Sequence, residues 1–177
     1  RVRRGAYLAI FAAPPCSTYS VTRYFPARDG KRGPPVVRNR DNILGLGNVP
    51  GAHRRELRLA NEITRRTTIL LTAAYRAGTE FACENPADRG DPTKPWIFHF
   101  PEHGPIWRDP GMETLAAACC TEAATFAMCM FGAETQKYST LWFTSGLSPA
   151  LRKLNSMLCS HTPGAHESIA GGVQNED

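Results

Sequence analysis

Nine almost continuously apolar residues, Gly5-Ala6-Tyr7-Leu8-Ala9-Ile10-Phe11-Ala12-Ala13, run straight into Pro14-Pro15-Cys16-Ser17. Such a run reads as a strand buried on both faces of a sheet. The two prolines end it, because neither has a backbone N–H for a ladder and each fixes its own φ. Cys16 is thereby delivered at the carboxyl end of a buried strand, where open α/β sheets gather their chemistry. Against this stands the ordinary fate of a free cysteine, which is to pack in a core. A second short apolar run, Glu80-Phe81-Ala82-Cys83, is stopped in the same manner by Glu84-Asn85-Pro86. Between the two runs the pattern is helical from about His53 to Ala77. Leu57, Ala60, Ile63, Leu70 or Leu71 and Ala74 recur at three- and four-residue steps, with Arg54, Arg55, Arg58, Arg65 and Arg66 between them. Gly78 supplies the stop. A strand–helix–strand unit closes as a right-handed crossover with parallel strands. A thiol and a carboxyl then share one rim of one sheet, a pairing suited to nucleophilic chemistry assisted by an acid.

A chain of 177 residues is long enough for one domain with a real core. Lysine and arginine number 21 against 16 aspartate and glutamate, a net charge of +5 that suits a polyanionic partner without requiring one. The six cysteines mostly fall in apolar runs and lack the spacing of a small disulfide scaffold, so they read as reduced thiols of an intracellular protein. No signal peptide is evident, and no apolar run approaches the length of a membrane span.

Residues 17–52 have little hydrophobic periodicity and are rich in proline and glycine, with Arg23, Arg28, Lys31, Arg32, Arg38 and Arg40 interspersed. By composition this is one long basic loop. It is either a solvated insertion or a segment that meets phosphates and bases through its cations and Tyr19, Tyr24 and Phe25. Residues 86–111 are dense in proline and aromatics, which argues against a helix that would align His99 and His103; both read as packing or surface histidines. A short helix suits Met112–Cys120, and a third buried strand suits Ala123–Phe131, with Cys119, Cys120 and Cys129 as core filler. Gly132 then turns the chain, and Tyr138–Thr144 returns as a hairpin partner. A helix over Pro149–Leu158 precedes Cys159, His161 and His166. One thiol and two imidazoles are three of the four ligands of a closed zinc site, and a fourth would have to come from Cys83 or another distant residue. No metal is therefore assigned.

The order of apolar strand, Pro14-Pro15-Cys16, helix, apolar strand, Glu84-Asn85-Pro86, then Phe131-Gly132 and Gln136-Lys137 before another strand, resembles the DNA cytosine-5 methyltransferases. The likeness covers about residues 5–144. It is to the divergent phage and mobile-element members, where Glu-Asn-Pro stands in for Glu-Asn-Val. The family's Gln-x-Arg-x-Arg signature is only partly matched at Gln136-Lys137. The resemblance implies an α/β, Rossmann-like S-adenosylmethionine-dependent fold, present as the carboxyl half of the sheet, with parallel strands, a terminal hairpin and flanking helices. It implies a partial catalytic domain over residues 1–158 and a tail with a Cys/His cluster over 159–177. It assigns the thiolate to Cys16, the contact to ring nitrogen 3 of cytosine to Glu84, and the loop-holding role to Asn85. Pro14, Pro15 and Pro86 would support that loop, and Ser17, Arg23, Gln136 and Lys137 would face the substrate. The implied partner is DNA and the implied cofactor S-adenosylmethionine, whose glycine-rich site would lie on an amino-terminal segment before Arg1. Two other readings fit the same residues. One is a catalytically inactive nucleic-acid-binding module of a mobile-element or viral polyprotein. The other is an amino-methyltransferase, which fits less well because that class carries an aromatic residue where this chain has Cys16.

Overall fold

A computed structural model describes residues 6–25, 33–162 and 165–166. The basic residues Arg1, Arg3, Arg4, Arg28, Lys31 and Arg32 and the tail from Gly171 lie outside this set. The chain is α/β, with a mixed, open four-stranded sheet flanked by helices, an arrangement compatible with a Rossmann-like fold. In chain order the elements are β1 (Ala9–Ala12), α1 (Gly51–Arg76), β2 (Glu80–Pro86), α2 (Pro110–Cys119), β3 (Glu122–Ala127), β4 (Tyr138–Phe143) and the single turn α3 (Ser148–Leu151). Spatially the strands run β1-β2-β4-β3. β1 and β2 are parallel, joined through α1, whereas β4 inserts between β2 and β3 and is antiparallel to both.

α1 owes its direction to a stripe of buried residues, Leu57, Ala60, Thr64, Thr68, Leu71 and Ala74. Ile63 lies beside this stripe rather than in it, and threonines take two of its places. Thr64 is tolerated there because its hydroxyl donates to the Ala60 carbonyl at 3.0 Å and also meets the Tyr19 hydroxyl at 2.9 Å. The helix ends in a Schellman motif: Gly78, with φ of +75°, donates to the Tyr75 carbonyl and Thr79 to the Ala74 carbonyl. α2 begins as sequence rules require. Asp109 caps it by accepting from the Gly111 N–H at 2.9 Å, and Pro110 occupies the first helical position.

The two helices cover one face of the sheet, where Tyr19, Leu71, Phe81, Cys83, Ile106, Trp107, Met112 and Leu115 form a buried cluster. On the opposite face Leu147, Leu151 and Leu154 pack over Ala82, Ala124, Phe126, Leu141 and Phe143. Buried hydroxyls of Thr125 and Thr140 bond across the β3–β4 ladder at 2.8 Å.

Several expectations change. β1 is not buried on both faces: it is the edge strand, Phe11 is 66% exposed and Leu8 94% exposed, and only Ile10 and Ala12 reach the helical side. An apolar run reads the same whether or not a neighbour covers it. Proline does not stop β2, which pairs with β4 through Pro86, opposite Ser139. The third strand closes at Ala127, and Met128–Phe131 coils into a 3-10 turn, because the ladder ends where Tyr138 begins β4. The helix expected over Pro149–Leu158 is α3 followed by a 3-10 turn at Arg152–Ser156.

The described part of residues 17–52 is not a solvated loop. Tyr19, Val37, Arg38 and Val49 are all buried at 2% exposure or less. The Arg38 guanidinium donates to the Ile43 carbonyl, the Thr18 hydroxyl and the Asn61 side-chain oxygen, and stacks 3.7 Å from the centre of the Tyr19 ring. Tyr24 and Phe25 pack against Phe98 and Phe100 rather than standing open to bases.

Candidate functional site

The rim of the sheet is built where β1 gives out. Its last paired residue is Ala12, opposite Cys83, so both Glu84 and the Pro14–Ser17 turn lie just past the final β1–β2 partners. Asn85 ties the two together. It is 1% exposed, and its Nδ2 donates to the carbonyl of Pro14 at 2.8 Å across 71 positions of chain. Pro14 is buried by this contact while Pro15 is exposed, and Cys16 is half-buried with a free thiol. A thiol held two residues beyond an anchored carbonyl, beside solvent, has the access that a packing cysteine lacks. Cys83 offers the contrast. Burial, with the Glu84 charge adding to it, pushes its thiol up to about 12, so it stays protonated and inert.

Glu84 presents its carboxylate on the same rim. Its side chain is 20% exposed, and Oε1 is a buried oxygen with no hydrogen-bond partner among the described residues. Lys137 Nζ stands 3.7 Å from it, close enough for attraction but beyond a direct hydrogen bond. The lysine is set there by the β3–β4 turn, where the Met128 N–H donates to the Lys137 carbonyl at 2.8 Å. Pro86 contributes its carbonyl to the Trp107 indole N–H at 2.8 Å, which pins the end of β2 to the segment before α2.

Three residues expected to face substrate do something else. Arg23 is turned inward, its side chain 5% exposed. It donates to the carbonyls of Ser17 and Pro35 and forms an ion pair with Glu56, which leaves no donor face for a phosphate. Ser17 donates to the same Glu56 carboxylate at 3.1 Å. Burial raises the Glu56 pKa, but the Arg23 and His53 contacts outweigh it and hold the carboxyl below its usual range. Glu56 thus clasps both ends of the turn after Cys16 onto the first turns of α1. Gln136 lies near the Cys159 thiol, while the next residue, Lys137, is the one that reaches Glu84.

His103 supports the same loop, a packing histidine as its sequence setting implies. It is 1% exposed; its Nδ1 accepts the Arg89 N–H at 3.0 Å, and its Nε2 meets the Tyr19 carbonyl at 2.8 Å. Those partners require the neutral ring with its proton on Nε2. Arg40 grips Asp88 through two bonds of 2.9 and 3.0 Å, and Asp88 in turn accepts the Gly90 N–H at 2.8 Å. Apart from the local Asp88–Gly90 bond, no sequence signal marks these contacts, since they join residues 14 to 84 positions apart within proline-rich stretches.

A cavity of about 750 Å³ opens elsewhere, between α1 and α2, lined by Ile69, Thr72, Ala73, Leu115 and Ala118 among others, and includes none of the rim residues. Among the described residues no helix is long and apolar enough to cross a membrane. No protein-family model, no curated protein and no solved structure matches the chain.

Proposed function

We propose that the rim carries nucleophilic catalysis on a cytosine base: Cys16 adds to carbon 6, and the ring is activated for methyl transfer to carbon 5 in DNA. The observation that carries this reading is the bond from Asn85 to Pro14, which fixes the cysteine turn against the strand bearing Glu84. The parallel β1–β2 pair with an antiparallel hairpin beside it is compatible with the carboxyl half of a methyltransferase sheet.

Carbon 5 of cytosine is a poor nucleophile. Addition of the Cys16 thiolate at carbon 6 forms the S–C bond and shifts the 5,6-double-bond electrons into an enamine. Glu84 stabilises that shift by a hydrogen bond at ring nitrogen 3, for which its unpartnered Oε1 is available when the carboxyl or the ring carries the shared proton. Lys137 places positive charge beside that carboxylate. The proline-stiffened turn lowers the entropy lost in aligning the sulfur. The base must leave the duplex stack to reach the rim. A bound methyl donor such as S-adenosylmethionine would supply the electrophilic methyl group. No described strand runs directly into a glycine-rich turn and a helix, so the donor's site is not assigned to these residues.

Reversible thiolate addition exchanges the carbon 5 hydrogen without any donor, which makes it the direct test. Incubated with DNA carrying 5-tritiated cytosine, the chain releases tritium to water. Cys16→Ser abolishes the release, and Glu84→Gln lowers it by roughly 10²–10⁴-fold, the usual range for a lost acid or base. Release unchanged in Cys16→Ser, or absent from the unaltered chain, refutes the mechanism. A non-catalytic nucleic-acid-binding module would bind the same DNA and release nothing.

A further inference from the structure

We propose that the chain holds a structural zinc ion through Cys129, Cys159, His161 and His166. One ligand atom from each of the four lies within 4.8 Å of all the others. The fourth ligand missing from the local sequence is thus Cys129, which sequence reasoning had placed in the core as filler. It arrives from the 3-10 turn after β3, thirty positions before Cys159.

The separations match the metal. Zinc–sulfur bonds of about 2.3 Å and zinc–nitrogen bonds of about 2.0–2.1 Å at tetrahedral angles place sulfur and nitrogen about 3.6 Å apart. Cys159 Sγ is 3.6 Å from His161 Nδ1 and 3.6 Å from His166 Nε2. The two imidazoles stand edge to face, their ring centroids 4.9 Å apart, so their ring nitrogens converge without stacking. Two thiolates and two imidazoles in tetrahedral array suit zinc above the oxygen-seeking divalent cations. Four protein ligands leave no open position for a substrate, so the ion is structural.

The fold brings the ligands together before any ion arrives. Gly132, at φ of +88°, ends the turn that carries Cys129 and donates to the Cys129 carbonyl at 3.1 Å. The Ala127 N–H bonds the Met157 carbonyl at 2.8 Å, and the Cys159 N–H reaches the Tyr138 hydroxyl at 3.2 Å. Met130, Leu158 and Cys159 pack on the cluster of Ala127, Cys129 and Tyr138. On binding, the two thiols lose their protons to solvent, and two thiolates neutralise the dication. The ion fastens Cys159, His161 and His166 to the turn after β3, next to the hairpin that presents Lys137 to Glu84.

The test is metal content and spectroscopy of the full chain, and neither depends on methyl transfer. The chain purified under reducing conditions is expected to carry one zinc, and replacement by cobalt to give the visible bands of a tetrahedral ion together with thiolate-to-cobalt charge transfer. Cys159→Ser and Cys129→Ser should each carry none, and Cys120→Ser, which alters an exposed thiol outside the cluster, should keep one. His161→Ala removes an exposed ligand with little packing and should abolish stoichiometric zinc in a chain that still melts cooperatively. A reduced, folded chain that takes up neither zinc nor cobalt overturns the proposal. So does full zinc content in Cys159→Ser, or a Cys129–Cys159 disulfide in protein purified without oxidant.

Discussion

Protonating His103 should loosen the turn that carries Cys16, and the cost can be worked from its surroundings. Burial lowers the ring's pKa from about 6.5 to about 4; the bond to the Tyr19 carbonyl and then the Asp88 carboxylate, 3.9 Å from Nδ1, only partly offset it, and the Arg89 and Arg40 charges add to the lowering. A proton added at Nδ1 would displace the Arg89 N–H, which that nitrogen accepts. The unfolded chain takes up its proton near pH 6.5 and the folded chain only near pH 4, so the unfolded state binds more protons between them. Stability is therefore fully present above about pH 6.5 and drains as pH falls toward about 4, by about 3 kcal/mol at roughly 1.4 kcal/mol per pKa unit. The assay is urea unfolding of the unaltered chain and His103→Gln at about pH 7.5 and about pH 4, each with chelator present so that metal loss does not enter. Glutamine does not titrate, so the gap between the two proteins should narrow by about 3 kcal/mol over that interval. An unchanged gap refutes the reasoning, as does a nuclear magnetic resonance titration placing His103 near 6.5 in the folded protein.

Two further substitutions probe the same frame. Asn85→Ala removes the donor to a buried Pro14 carbonyl, which should cost about 1–3 kcal/mol in denaturant unfolding and reduce tritium release well beyond that loss of folded protein. Gly104→Ala would set its Cβ 2.7 Å from the Asn39 carbonyl oxygen and 2.8 Å from its carbon, both backbone atoms, so a loss of about 1–3 kcal/mol is expected in a thermal melt.

The sheet and α1 were legible because both rest on hydrophobic period, and period survives without knowledge of neighbours. The Schellman stop at Gly78 and the cap at Asp109 have local chemistry and fall close to where residue type puts them. What escaped detection is the destination of polar groups. Arg23 and Arg38 sit in a stretch whose composition says solvent, yet their terminal guanidinium nitrogens donate to carbonyls and side chains up to 33 positions away. The edge position of β1 was invisible because Phe11 has the same character exposed as buried. Cys129 packs in the core as its apolar neighbours imply, but its approach to Cys159, His161 and His166 was invisible because they follow thirty or more positions later. At the rim, the strand ends that carry Pro14 and Asn85 are legible from their prolines, and the Asn85–Pro14 bond joins them, whereas the tie from Ser17 to Glu56 on α1 has no mark in the sequence.

Ordinary connecting segments accept extra residues at little cost, since closure entropy grows slowly with length. The stretch from 33 to 50 forfeits that freedom. Its register is dictated by one guanidinium lodged against Tyr19, Thr18, Ile43 and Asn61 at once, so a single inserted residue would withdraw a cation from its only shelter. This ladderless span must consequently diverge by substitution far more readily than by change of length, as if it were a strand of the core.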